Sequence, residues 1–197
     1  MLIYLACQFD PTGIPYSRFD DPNSHPYVSL KEHPGALDEL PEPKREPALR
    51  EALELLNRTD SALESVGCEA WKADDERSGD GTQQVFRQGS YLALIFSHEQ
   101  VGHQYSDWFH VFVRLAKGLA SEPEQKQAMQ VNFIIKPFLM HSTNRTGWQL
   151  ELWIDARWST AESARQQWEA YLLRVSESLF HIANEFQSEV LAEHPES

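Results

Sequence analysis

Apolar and polar residues alternate almost without a break along Trp148–Trp158, WQLELWIDARW. Trp148, Leu150, Leu152, Ile154, Ala156 and Trp158 fall on one side; Gln149, Glu151, Trp153, Asp155 and Arg157 fall on the other. A period of two is that of a half-buried β-strand, whose successive side chains point to opposite faces. The first set is expected to meet the core and the second to face solvent, where Trp153 is out of place. DWFHVFVRL shows a similar alternation, so it is read as another strand with Phe109, Val111, Val113 and Leu115 inward. Its opposite set is Trp108, His110, Phe112 and Arg114.

The period changes at the end of the chain. Ser159 stands three residues before Glu162, the spacing of a capping box. Ala161, Ala164, Trp168, Tyr171, Leu172, Val175, Leu179, Ile182, Phe186 and Val190 then form one stripe at helical spacing. This predicts a long helix over 159–192. A shorter helix is predicted over 47–66, from Pro47 at a first helical position and Leu49, Leu53, Leu56, Ala62, Leu63 and Val66 at spacings near three and four.

Between the helices, 67–158 reads as antiparallel strands: CEAWKA, VFRQGSYLALIFS with Gly89 as a bulge, and MQVNFIIKPFLMHS with Pro137 marking an edge or a bulge. The opening residues, LIYLAC, lack the leading charge and the long apolar run of a signal peptide and read as a first strand. Eight of the eleven prolines lie in 11–47. Each fixes φ and removes a donor, so 11–46 is expected to be an irregular arm, anchored by Tyr16, Phe19, Tyr27, Val28 and Leu30. The expected class is α+β: one domain over 1–197, with an antiparallel meander packed against a long C-terminal helix and a shorter N-terminal one.

Composition narrows the function. With 197 residues, 41% of them hydrophobic, the chain is long enough for a sizeable core. A formal net charge of −13 argues against nucleic-acid binding, which needs a local excess of Lys and Arg, and favours capture of a basic partner. No run approaches the roughly 20 apolar residues of a membrane span. Two cysteines, Cys7 and Cys68, are too few for a disulfide framework and fit free thiols in the cytoplasm.

HEQVGHQYSDWFH brings His98, His103 and His110 close together in sequence. It differs from the HExxH metal motif by one residue. Five positions turn a helix by about 140° beyond a full turn, so His98 and His103 would diverge there, and on a strand they would face opposite ways. The stretch is read as a polar turn with no tightly bound metal. No phosphate loop, nucleophile elbow or other catalytic motif is present, and neither an enzyme activity nor a cofactor is expected.

If the strands holding Trp108 and Trp153 share one open face, Trp108, His110, Phe112, Arg114, Glu151, Trp153, Asp155 and Arg157 form an aromatic surface edged by charge, the chemistry enriched at interface hot spots. An acidic chain with such a face is similar in class to the cytoplasmic immunity proteins of bacterial toxin systems, which neutralise a basic enzyme by covering its active site. Secretion chaperones share these traits. The order of elements resembles the helix-grip arrangement of START-like domains, which implies an apolar ligand cavity between the sheet and the final helix.

Overall fold

The computed structural model describes residues 2–14, 27–77, 84–120 and 129–193. Among the described residues are six strands: β1 (Leu2–Cys7), β2 (Thr12–Ile14), β3 (Leu63–Arg77), β4 (Gln84–Phe96), β5 (Met129–Met140) and β6 (Arg145–Trp158). They form one mixed sheet in the order β1-β5-β6-β4-β3, with β2 also pairing β5. β1 and β2 run parallel to β5, and the other pairings are antiparallel. Among the described residues four α-helices accompany the sheet, α1 (Pro41–Arg45), α2 (Pro47–Leu56), α3 (Tyr105–Ala120) and α4 (Ala161–Glu193), with a short 3-10 helix at Pro34–Asp38. The fold is α+β, as the hydrophobic pattern implies. It departs from a simple meander because α3 separates β4 from β5, and β5 joins on the far side of β6.

One face of the sheet carries the main core. Leu92, Leu94 and Phe96 of β4, Val131, Phe133 and Ile135 of β5, and Leu150, Leu152 and Ile154 of β6 are at most 1% exposed. Against them pack Leu49, Leu53 and Leu56 of α2, Trp108, Val111 and Leu115 of α3, and Trp168, Leu172, Val175 and Leu179 of α4. Burying each of the larger side chains stabilises by about 1.5–3 kcal/mol. Both deep indoles find acceptors: Trp108 Nε1 donates to the Trp148 carbonyl at 2.7 Å, and Trp168 Nε1 donates to Ser90 Oγ at 3.0 Å.

Several elements differ from the sequence reading. DWFHVFVRL is helical. Trp108, Val111, Leu115 and Leu119 recur at spacings of three and four, and this set is buried, whereas Phe109 is exposed and Val113 only partly buried. The β-branched and aromatic residues that suggested a strand yield to the packing of that helical stripe on the sheet. α2 ends at Leu56 because the Asn57 side chain terminates it: Nδ2 donates to the Leu53 carbonyl and to Ser65 Oγ, and Oδ1 accepts from Ser65 N. Ala62, Leu63 and Val66, which seemed to prolong the helix, lead into and lie in β3. At α4 the cap is Thr160 and not Ser159, since Thr160 Oγ1 accepts from Ser163 N at 3.1 Å.

Pro137 lies in an interior strand, at a position that tolerates it. β1 pairs β5 up to Ile135 and β2 resumes at Phe138, so proline falls in the gap between two parallel ladders. Gly89 is not a bulge; the register shifts occur in β3, between Ser65 and Gly67 and between Ala73 and Glu76. Of the expected anchors of the arm, Tyr16 and Phe19 lie outside the described residues. Tyr27 packs against the second face of the sheet, Leu30 is buried in the main core, and Val28 is exposed. The arm therefore turns around the β3 edge between Tyr27 and Leu30.

Candidate interaction surface

The second face of the sheet is built in rows set by strand register. One row runs Leu2, Gln130, Asp155, Gly89, Trp71; the next runs Tyr4, Asn132, Trp153, Tyr91, Glu69; a third runs Ala6, Ile134, Glu151, Ala93, Gly67. At one end of this face Ile14, Val66, Ala93, Ile95, Phe138 and Met140 form a small apolar cluster with Tyr27 and Tyr91 against it.

Three partly buried aromatics occupy the middle. The Trp153 ring lies 5.5 Å from that of Trp71 and 5.0 Å from that of Tyr91, both tilted. The separations suit aromatic pairs, worth about 0.5–1.5 kcal/mol each beyond their buried area. Trp153 Nε1 has no acceptor among the described residues.

Two ion pairs frame the trio. Arg87 holds Asp155 through two hydrogen bonds, at 2.8 and 2.9 Å, and the carboxylate side chain is only 4% exposed. Lys136 Nζ pairs with Glu151 Oε1, and Tyr91 OH donates to the same oxygen at 3.3 Å. Gln149, Glu151 and Asp155 are all buried, so the polar side of β6 is not the solvent face that alternation implies. Neighbouring cations and hydrogen bonds offset the cost of removing these groups from water.

Gly89 is what lets the parts approach. A methyl group there would stand 2.5 Å from Asp155 Oδ1 and 2.7 Å from the Trp71 ring, both closer than van der Waals contact. Gly89→Ala is therefore expected to cost about 1–3 kcal/mol in a denaturant titration, the range for overpacking. A loss under about 0.5 kcal/mol would show that the ring and the carboxylate can move apart freely.

The eight residues expected to form one surface are divided by the sheet. Glu151, Trp153, Asp155 and Arg157 lie on the second face. Trp108, His110, Phe112 and Arg114 lie on α3, over the main core. Trp108 is inaccessible, and Phe112 meets Phe133 edge-on at 5.2 Å. Arg114 is held by Glu189 of α4 through two hydrogen bonds, at 3.2 and 2.6 Å, and His110 rests 6.0 Å from the Phe186 ring. The separation follows from α3 being a helix, which removes Trp108 from any strand beside β6. Sequence reasoning missed Trp71, Tyr91, Arg87 and Lys136, which do share the face with Trp153. Alternation within VFRQGSYLALIFS does place Arg87 and Tyr91 on one side, but the β4–β6 register that sets them beside Trp153 has no local signal.

The histidine stretch divides as well. Residues 98–104 are a loop and 105–110 begin α3. Asp107 Oδ2 accepts from Gly102 N at 3.0 Å and from Gln104 N at 3.3 Å, and Gly102, at φ +81°, offers its carbonyl to Trp148 N at 2.8 Å. His103 and His110 line an open groove of about 530 Å³ between α3 and α4, while His98 Nδ1 accepts from Gln100 N. Among the described residues no three His, Cys, Asp or Glu side chains converge as a metal site. Burial pushes the Cys68 thiol up to about 12, which leaves almost no thiolate at neutral pH. Among the described residues no helix is long and apolar enough to cross a membrane.

Compared with known proteins, no family model matches this chain, and neither a curated protein nor a solved structure does.

Proposed function

We propose that this chain is a protein-binding module that offers the second sheet face to a basic partner. The specific reading is an immunity-type inhibitor that neutralises a bacterial toxin or effector in the cytoplasm by direct binding. The observation that carries it is the Trp71–Trp153–Tyr91 cluster. Three large rings stand only partly buried on a rigid sheet, fixed in place by buried ion pairs on either side. Rigid aromatic anchors give contact area at little entropic cost, and they dominate interface energetics. The net charge of −13 adds long-range attraction for a basic partner and raises its association rate. The helix-grip reading draws no support from the packing under α4, where Trp168, Leu172, Val175 and Leu179 are buried without exposure.

Replacing Trp71 and Trp153 together by alanine tests the proposal. The isolated protein is expected to stay folded, because neither ring belongs to the main core. Affinity for a basic protein captured from the native host by the wild type should fall by at least about 2 kcal/mol, the hot-spot threshold. Co-expression of the wild type, and not of the double variant, should then relieve the toxicity of that partner. A partner that binds both proteins equally would remove the sheet face from the proposal.

A further inference from the structure

β1 is an edge strand, paired only with β5 among the described residues. Protein edges are usually blunted by charge, proline or a bulge, because an open row of N–H and C=O groups templates pairing with another strand. β1 has none of these devices. Residues 2–9 and 129–135, which make up this margin of the sheet, contain no Asp, Glu, Lys, Arg or His in a chain that is 24% charged.

The margin is also where apolar surface is left open. Five large apolar side chains are exposed among the described residues: Leu2 (57%), Tyr4 (49%), Phe9 (77%), Val28 and Phe109. Leu2, Tyr4 and Phe9 lie here, and Phe109 lies near the start of α3. Leu2 and Tyr4 project from β1. Phe9 contacts Trp148, Trp148 contacts Tyr105, and Tyr105 stacks on Phe109, with ring centroids 6.3, 5.7 and 5.9 Å apart. Phe9, Trp148, Tyr105 and Phe109 thus form an aromatic border from the end of β1 to the start of α3 on the main-core face, while Leu2 and Tyr4 project from the opposite face. An open patch of this kind marks a site of association.

We propose that the β1 margin joins two copies of this chain, with the two β1 strands antiparallel across a two-fold axis and the sheets continuous. Charge identifies the occupant. Each copy carries a formal net charge of −13, and along the uncharged margin two copies meet without setting like charges opposite each other. The strand is also self-complementary. With Tyr4 opposite Tyr4 of the second copy, Leu2 faces Ala6 and Ile3 faces Leu5, so every cross-strand pair is apolar on both faces of the sheet. The partly buried Ile3 and Leu5, which pack against the main core at its open side, are then closed over by their counterparts.

The margin does not include the Trp71–Trp153–Tyr91 cluster, and the inference is independent of the function proposed above. Sedimentation equilibrium of the full chain across micromolar concentrations tests it. The wild type is expected to be a dimer. Tyr4→Lys, which sets two like charges opposite each other, should raise the dimer dissociation constant at least tenfold, and Leu2→Lys should do the same by a second route. Both positions are about half exposed, and circular dichroism checks that each variant folds. Val28→Lys, an exposed apolar site away from the margin, should leave the dimer intact. A wild type that stays monomeric overturns the proposal, including one that pairs its β1 edge with a different protein. So does a dimer that Tyr4→Lys and Leu2→Lys leave unchanged.

Discussion

Replacing Trp168 by alanine is expected to cost about 3–5 kcal/mol of folding stability. The indole is inaccessible, in the middle of the α4 stripe, between Ala164, Leu172 and the β4 surface. Its removal deletes a large apolar area and leaves a cavity among neighbours that are themselves fully packed, so little collapse can recover the loss. It also removes the donor to Ser90 Oγ on β4. The loss should appear in urea as a lower midpoint with an unchanged slope, since the surface exposed on unfolding is nearly the same. Trp168→Phe keeps most of the area and loses the hydrogen bond, and should fall between the two. A loss below about 1 kcal/mol for the alanine variant would place Trp168 outside the core.

Arg87→Ala is the second large effect. Asp155 is 3% exposed, and the two Arg87 hydrogen bonds are what compensate its carboxylate. Removing one partner of a buried pair strands the other charge, at a typical cost of about 3–5 kcal/mol. Arg87 is itself about a quarter exposed, so the lower half of that range is expected. Exchanging both residues for leucine should recover most of the loss, because an apolar pair avoids the desolvation of two ions. Denaturant titrations of the single and double variants give the coupling. Near-additive single losses would mean that Asp155 is stabilised by other groups.

The elements that sequence revealed are those whose pattern is local and long. The α4 stripe from Ala164 to Phe186 and the alternation from Trp148 to Trp158 each repeat one period often enough to identify a face. α3 defeated the same reasoning because Trp108, Val111 and Leu115 satisfy a helical stripe while Phe109, Val111, Val113 and Leu115 satisfy a strand. Over nine residues both periods fit, and only packing decides. The candidate surface was half legible. Trp153, a large ring on the polar side of β6, stood out in the sequence, and in the fold it lies against the rings of Trp71 and Tyr91. Its neighbours Trp71 and Tyr91 arrive through β3 and β4 registers, and Lys136 through β5, pairings between segments far apart in the chain. No local period reports these. The burial of Glu151 and Asp155 was illegible for the same reason, since it depends on cations supplied by other strands.

The parallel pairing of β1 with β5 sets an order of events in time. Leu2 meets Gln130 and Cys7 meets Ile135, so β1 pairs with a strand made 128 residues later. At ribosomal rates of roughly 5–20 residues per second, LIYLAC waits on the order of 6–26 s for its template. Its ladder also bears the largest loop-closure entropy in the sheet and forms after the local β3–β4 and β5–β6 hairpins. Amide exchange on β1 should therefore be the fastest among the long strands. The nascent chain meanwhile carries an uncharged, β-prone segment in the open, the kind of sequence that chaperones shield.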